Sequence, residues 1–328
     1  MLRATMTQPG VIQFSDVPVP VPGDGEVLVK VRRIGVCGSD IHVYHGKHPY
    51  TTYPVVQGHE FCAEIAGGQL VTAPPQITCG ECYACRAGQY HICDSLRVRG
   101  FQAPGVAQQY VVLPEHEIIR LPESFTPELG ALVEPTAVAV HAVRRAGDVA
   151  GLGVLVLGAG PIGNLVAQVA RARGAATVAI TDLSPYRLEI ARQCGIPRCV
   201  LVSDDFTFPE GGADLAFECV GSEITANQAI RCVRKGSTIV IVGVYGELPK
   251  VDLGLVQDRE LRLIGTLMYR REDYHDAIEL LSNGSVIAEP LFTASFPFRR
   301  YLDAYHFIEE SRDRSMKVMI DLDRVEDL

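Results

Sequence analysis

The first hundred residues carry two groups of potential metal ligands, built to different designs. One group is closed: Cys79, Cys82, Cys85 and Cys93 form a C-x-x-C-x-x-C-x7-C run. Four thiolates complete a tetrahedron around zinc and leave no position for a reactant, so this group reads as structural. The other group is open: Cys37 stands in G-V-C-G-S-D, and His59 and Glu60 stand in G-H-E. A thiolate, an imidazole and a carboxylate can leave one position free for an alcohol oxygen, which reads as catalytic. Two zinc ions per subunit are therefore expected. Asp40 is suited to hold the far N–H of His59. Ser39 is the hydroxyl placed to take a proton from the reacting oxygen, and His42 could carry it to solvent. Glu134, in L-V-E-P just before the helix that enters the second domain, is a further carboxylate that could be an alternative ligand or hold the metal-bound water. The sequence leaves open whether Glu60 or Glu134 is the oxygen ligand.

A second constellation begins at Val154-Leu155-Val156-Leu157, a continuous apolar run of the kind that forms a strand buried on both faces. It meets Gly158-Ala159-Gly160-Pro161-Ile162-Gly163, a G-x-G-x-x-G match, and then a helical stretch over 164–173. Gly158 allows the tight turn, Gly160 lets a pyrophosphate approach the backbone, and Gly163 packs helix on strand. Pro161 and Ile162 open the helix whose N-terminus would face the phosphates. Asp182 ends the next apolar segment and is placed to accept both ribose hydroxyls, which favours NAD over NADP. The same residue could instead cap the helix that starts near Ser184. Arg187, nearby, weighs against the NAD preference.

The elements that must position these groups fall into two textures. Residues 1–140 are rich in strands and turns: 26–31 alternate like a half-buried strand and 110–113 form another, before a helical pattern over 131–146. From Gly153 onward strands alternate with helices, with apolar runs at 177–181, 214–220 and 237–244 and helices at 184–194 and 223–233. That alternation implies a parallel, doubly wound sheet. The predicted organisation is 1–140 with the cysteine lobe at 79–93, then 141–268, then a return to the first domain over 269–328. The 328 residues are 47% hydrophobic and 21% charged, enough for two cores, and the net charge of -9 with no basic run disfavours nucleic acid and anionic membranes. No signal peptide or membrane-length apolar run is present, so a cytoplasmic location is expected and disulfides are not. Cys62, Cys194, Cys199, Cys219 and Cys232 read as small buried hydrophobes.

Taken together, these residues resemble the zinc-dependent medium-chain dehydrogenase/reductase superfamily, closest to its polyol (sorbitol-type) and threonine dehydrogenase branch. The likeness rests on G-V-C-G-S-D-I-H at 35–42, G-H-E at 58–60, the four-cysteine lobe, A-L-V-E-P-T-A-V-A-V-H-A at 131–142 and D-L-S-P-Y-R-L from Asp182. It implies a GroES-like catalytic domain made from both ends of the chain, an inserted Rossmann domain, an active site in the cleft between them, and a homodimer or homotetramer. It also implies a catalytic zinc on Cys37, His59 and Glu60, with Glu134 close by. Two features depart from the pattern: the segment 64–71 is short for the usual hairpin, and Thr266 to Tyr269 replace an arginine that sorbitol-type enzymes carry, with Arg270 and Arg271 following. The expected function is oxidation of a secondary hydroxyl of a small polyol or sugar acid to a ketone. The alternatives are an L-threonine-like or vicinal-diol substrate and, outside catalysis, a zinc-stabilised NAD-binding redox sensor.

Overall fold

The computed structural model describes residues 1–202 and 211–324. Two units emerge, Met1–Glu134 with Phe292–Leu328, and Pro135–Leu291. The first opens with β1 (Leu2–Gln8), β2 (Val11–Asp16) and β3 (Glu26–Gly35), then α1 (Gly38–Tyr44). β4 (Glu60–Glu64), β5 (Leu70–Thr72), β6 (Gln76–Ile77), α2 (Tyr83–Arg86), β7 (Arg97–Val98), β8 (Tyr110–Pro114) and β9 (Ile119–Arg120) follow. α3 (Pro127–Ala146) carries the boundary, with Pro135 inside it. The second unit holds β10 (Gly153–Leu157), α4 (Pro161–Ala172), β11 (Thr177–Asp182), α5 (Pro185–Gln193), β12 (Arg198–Leu201) and β13 (Ala213–Glu218). It continues with α6 (Glu223–Cys232), β14 (Val233–Ile241), α7 (Leu253–Asp258), β15 (Arg262–Gly265) and α8 (Arg271–Ser282). The chain then returns to the first unit through β16 (Phe292–Pro297), α9 (Tyr301–Ser311) and β17 (Lys317–Asp321). No described helix is long and apolar enough to cross a membrane.

The first unit is the GroES-like, β-rich part. Its sheet runs β16-β17-β3-β4-β5-β9, with β8 also pairing β3. Alternation along β3 sends Val29 and Val31 into a core that includes Phe61, Leu113, Val318 and Ile320, and a register shift between Val31 and Arg33 brings Ile34 into it as well. The returning strand β17 lies antiparallel to β3 with Met319 opposite Gly35, and Gly35 faces Glu60 on β4. This register brings the end of the chain beside G-H-E. The short segment after β4 closes as a hairpin, because Gly67 (φ +95°) and Gly68 (φ +86°) take left-handed conformations and Ala63 and Glu64 still pair with Val71 and Leu70. The trimmed hairpin leaves the ladder intact.

The second unit is a six-stranded parallel sheet in the order β12-β11-β10-β13-β14-β15, the doubly wound Rossmann order. Its core packs Leu155, Leu157, Ala179, Ala216, Ile230 and Ile239. Several limits differ from the sequence reading. The helix after the glycine turn starts at Pro161, not 164, since proline's fixed φ suits the first helical position. β14 begins at Val233 and stops at Ile241. Just beyond it Gly243 lies against Gly221 so closely that a Cβ would meet its nitrogen at 2.1 Å. The second boundary falls at Leu291/Phe292 instead of 268/269. α8 is tied to the second unit by Asp273, which takes His141 Nδ1 and Arg144 Nε at 2.9 Å each, and by Arg144 and Arg173 on Asp276.

Candidate functional site

In the lobe, the four sulfurs draw together on very short turns. Sγ–Sγ distances are 3.5 Å for Cys79–Cys93 and 3.9 Å for both Cys79–Cys85 and Cys82–Cys93. Thiolates about 2.3 Å from one zinc stand roughly 3.8 Å apart in a tetrahedron, and a disulfide would need about 2.05 Å. The distances fit a metal and exclude a disulfide. Backbone N–H groups of Cys79, Cys82 and Cys85 donate to the sulfurs of Cys93, Cys79 and Cys82 at 3.3–3.4 Å. Backbone N–H donors hold the Cys79 thiol below its usual pKa and do the same for Cys93, favouring thiolates at these two, while desolvation and its sulfur neighbours push Cys85 up.

The open set also converges: one ligand atom each from Cys37, His59 and Glu60 lie within 4.8 Å of one another. Cys37 is the residue before α1 and is half-buried, while His59 and Glu60 are buried. A Cβ on Gly35 would meet Glu60 Oε2 at 2.3 Å, so the glycine leaves room for that carboxylate in its present position. Asp40, fully buried, sits close to His59, but its Oδ1 is 3.6 Å from Nδ1, beyond a hydrogen bond. Instead Asp40 Oδ2 accepts the Cys37 N–H at 3.0 Å, fixing the turn that carries the thiol. The expected Asp40–His59 hydrogen bond is thus corrected to a charge contact: Oδ1 faces the imidazole but stays 3.6 Å away, while Oδ2 holds the Cys37 N–H. Among the described residues His59 Nδ1 makes no hydrogen bond. Burial works against charge on His59, but Asp40 and then Cys37 outweigh it and push its pKa well above the ordinary value.

Sequence reasoning missed Lys317. Its ammonium reaches both oxygens of Glu60, at 2.8 and 2.6 Å, with both side chains almost wholly buried. The only signal was a lysine at an inward position of an apolar strand, M-K-V-M-I-D. Burial opposes the charge, Glu60 outweighs it, and the Lys317 pKa is raised. Glu134 is buried as well, and its charge acts on Lys317, yet it stands outside the Cys37–His59–Glu60 cluster. Ser39 and His42 are three residues apart on α1, half-buried and exposed respectively. Phe101 tilts against the His59 ring at 4.9 Å and stacks on His48 at 4.6 Å. Arg270, one candidate for a displaced arginine, precedes α8, with its N–H on Asp273 and its guanidinium toward Glu272.

The glycine turn follows its sequence logic. Gly158 is left-handed (φ +96°), and a Cβ on Gly163 would meet the Gly158 oxygen at 1.9 Å. Gly160 is different: its backbone is ordinary and nothing lies within 4 Å of where a Cβ would stand, at the N-terminus of α4. Neither strain nor packing within this chain demands glycine there, and the space before the helix N-terminus is open. Asp182 Oδ2 accepts the Ala159 N–H at 2.7 Å and Oδ1 the Ser184 N–H at 2.8 Å, so its carboxylate borders the turn. The helix cap is Ser184, whose hydroxyl accepts the Arg187 N–H at 3.2 Å; Asp182 is not the cap. Among the other cysteines, Cys62, Cys194 and Cys232 are buried, while Cys199 and Cys219 are only half-buried. Burial pushes Cys62 up to about 12, so it is an inert thiol.

This combination of a GroES-like part, a Rossmann sheet and a thiolate lobe defines a zinc-binding dehydrogenase. Family models agree: the alcohol dehydrogenase GroES-like domain matches residues 23–123 and the zinc-binding dehydrogenase model residues 161–283. The chain is 33% identical to L-galactonate-5-dehydrogenase of Escherichia coli K12 over 316 residues, 91% of this chain and 92% of that one. It is 35% identical to L-threonine 3-dehydrogenase of Legionella pneumophila (strain Corby) over 324 residues, 92% and 94% of the two chains. A crystal structure of a zinc-binding dehydrogenase from Sinorhizobium meliloti 1021 bound to NADP superposes with a TM-score of 0.88 at 30% identity, covering 98% of each chain. The protein belongs to the zinc-type medium-chain dehydrogenase/reductase family, in its polyol and threonine dehydrogenase branch.

Proposed function

We propose that this protein is a zinc- and NAD-dependent dehydrogenase that oxidises a secondary hydroxyl of a small polyol or sugar acid to a ketone. The observation that carries this reading is the Cys37–His59–Glu60 convergence within 4.8 Å. In the same chain, Gly160 is open at a helix N-terminus and Asp182 borders that turn. When bound, zinc supplies Lewis acidity toward the reacting oxygen and NAD supplies the hydride acceptor. The chain's residues do the rest. Cys37, His59 and Glu60 would hold the metal, with Asp40 fixing the Cys37 turn and Lys317 restraining Glu60. Ser39 takes the hydroxyl proton and His42 passes it to solvent. Asp182 offers its carboxylate to the ribose hydroxyls, which opposes a 2′-phosphate and supports NAD. The four lobe cysteines would hold a second, structural zinc, and a homodimer or homotetramer belongs to the same reading.

A second reading keeps the chemistry and changes the substrate to an L-threonine-like amino alcohol or a vicinal diol. The threonine dehydrogenase relatives, as similar as the galactonate one, support it. A redox sensor without turnover is separated from both by turnover of the unaltered protein, and Cys37→Ser then tests the site. That variant is expected to lose at least about 10³-fold in turnover and one of two zinc ions per chain by elemental analysis, with NADH binding measured by fluorescence unchanged. Undiminished turnover would remove Cys37 from the reaction.

A further inference from the structure

Glu218 closes β13 at the place where the strand order reverses: β11 and β12 lie to one side of β10, and β13, β14 and β15 to the other. In such sheets the dinucleotide lies across the carboxyl ends of the strands at this switch point. Glu218 knits three strand ends together. Its carbonyl accepts the N–H groups of Val242 and Gly243 at 2.8 and 2.9 Å, and the next N–H, on Cys219, donates to Leu157 at 2.9 Å. Val220 presses on the glycine turn, where a Cβ on Gly158 would meet it at 2.6 Å. The Glu218 side chain is fully buried. Its Oε1 accepts from the Val220 and Gly221 N–H groups at 2.9 Å each and from the Thr225 hydroxyl at 2.7 Å. Its Oε2 accepts from the Tyr245 hydroxyl at 2.9 Å. All four donors are neutral, so they fix a carboxylate without cancelling its charge. Burial, and then that charge, push the Tyr245 pKa up and keep its hydroxyl a donor.

We infer that Glu218 discriminates between the two redox forms of the cofactor. Its fixed negative charge at the switch point favours the positively charged oxidised nicotinamide over the neutral reduced one. The inference rests on the reading of the protein as NAD-dependent. The test measures the dissociation constants of NAD⁺ by calorimetry and of NADH by fluorescence on the zinc-loaded protein and three variants. Glu218→Gln keeps the shape and an acceptor for Val220 and Gly221 but removes the charge; Tyr245→Phe keeps the charge and removes a donor. Glu218→Gln is expected to raise the NAD⁺/NADH ratio of dissociation constants by about fivefold or more, and Tyr245→Phe to leave it within about twofold. Tyr245→Lys, which sets a cation against the same carboxylate, must raise the ratio too, and decides the matter if Glu218→Gln does not fold. Parallel loss of both affinities in the charge-altering variants would reduce Glu218 to a structural role and overturn the inference. A wild-type protein that binds neither form would sink the dinucleotide reading itself, a separate result.

Discussion

At the scale of single residues, the open site is governed by what each charge is paired with. Glu60 and Lys317 are buried together, with the ammonium on both carboxylate oxygens. Removing one partner of such a pair leaves an uncompensated charge in the interior, so Lys317→Met is predicted to cost about 3–5 kcal/mol in urea unfolding of the metal-free protein. A loss under about 1 kcal/mol would mean the pair is worth no more than a surface ion pair. His59 carries the opposite lesson. Asp40 raises its pKa, so the metal-free site keeps a proton that zinc has to displace. Zinc affinity at the open site should therefore fall as pH drops, roughly tenfold per unit for each proton displaced, in chelator-competition titrations between about pH 8 and 6. A flat profile would show that His59 is not a ligand. The ligand types were legible because Cys37, His59 and Glu60 sit in short, chemically specific motifs. Asp40's hydrogen bond to the Cys37 N–H was not, since it depends on how the turn before α1 aims one carboxylate oxygen at the backbone while the other faces the His59 ring. Lys317 was hidden because its partner lies 257 residues away in the chain.

At the scale of elements, periodicity and turn residues carry most of the information. The buried strand, glycine turn and helix from Gly153 to Ala172 follow from an apolar run, three glycines and a proline at the first helical position. The return through β16, α9 and β17 was visible only as a mixed tail. α9 buries Tyr301, Ala304 and Tyr305 among charged neighbours, and the parallel pairing of β16 with β17 is set by the rest of the sheet. The lobe is the reverse case: α2 is four residues long and has too few apolar groups to hold its shape alone. Cys82→Ser is predicted to release one zinc per chain and to raise amide hydrogen exchange across 79–93, while exchange in β10, β11 and β13 stays as it was. Unchanged protection across the lobe would show that metal is not what orders it.

At the scale of the whole molecule, two sheets with separate cores each carry one half of the chemistry. The GroES-like unit brings Cys37, His59 and Glu60 together beside α1, and the Rossmann unit presents the open glycine turn. Fold class and family were readable from the order in which the motifs occur. The second boundary was not, because α8 is bound to the Rossmann unit by ion pairs between residues far apart in sequence. Substrate choice also escapes the sequence: the likeness to galactonate and threonine dehydrogenases is nearly equal. The most direct test of the central claim is NADH formation with a panel of alditols, aldonates, vicinal diols and L-threonine, each repeated after chelation. The account predicts chelator-sensitive NAD⁺ reduction with polyols or sugar acids, restored by added zinc. Reduction that survives complete removal of zinc, or none with any of these alcohols in protein shown to hold zinc and NADH, would contradict it.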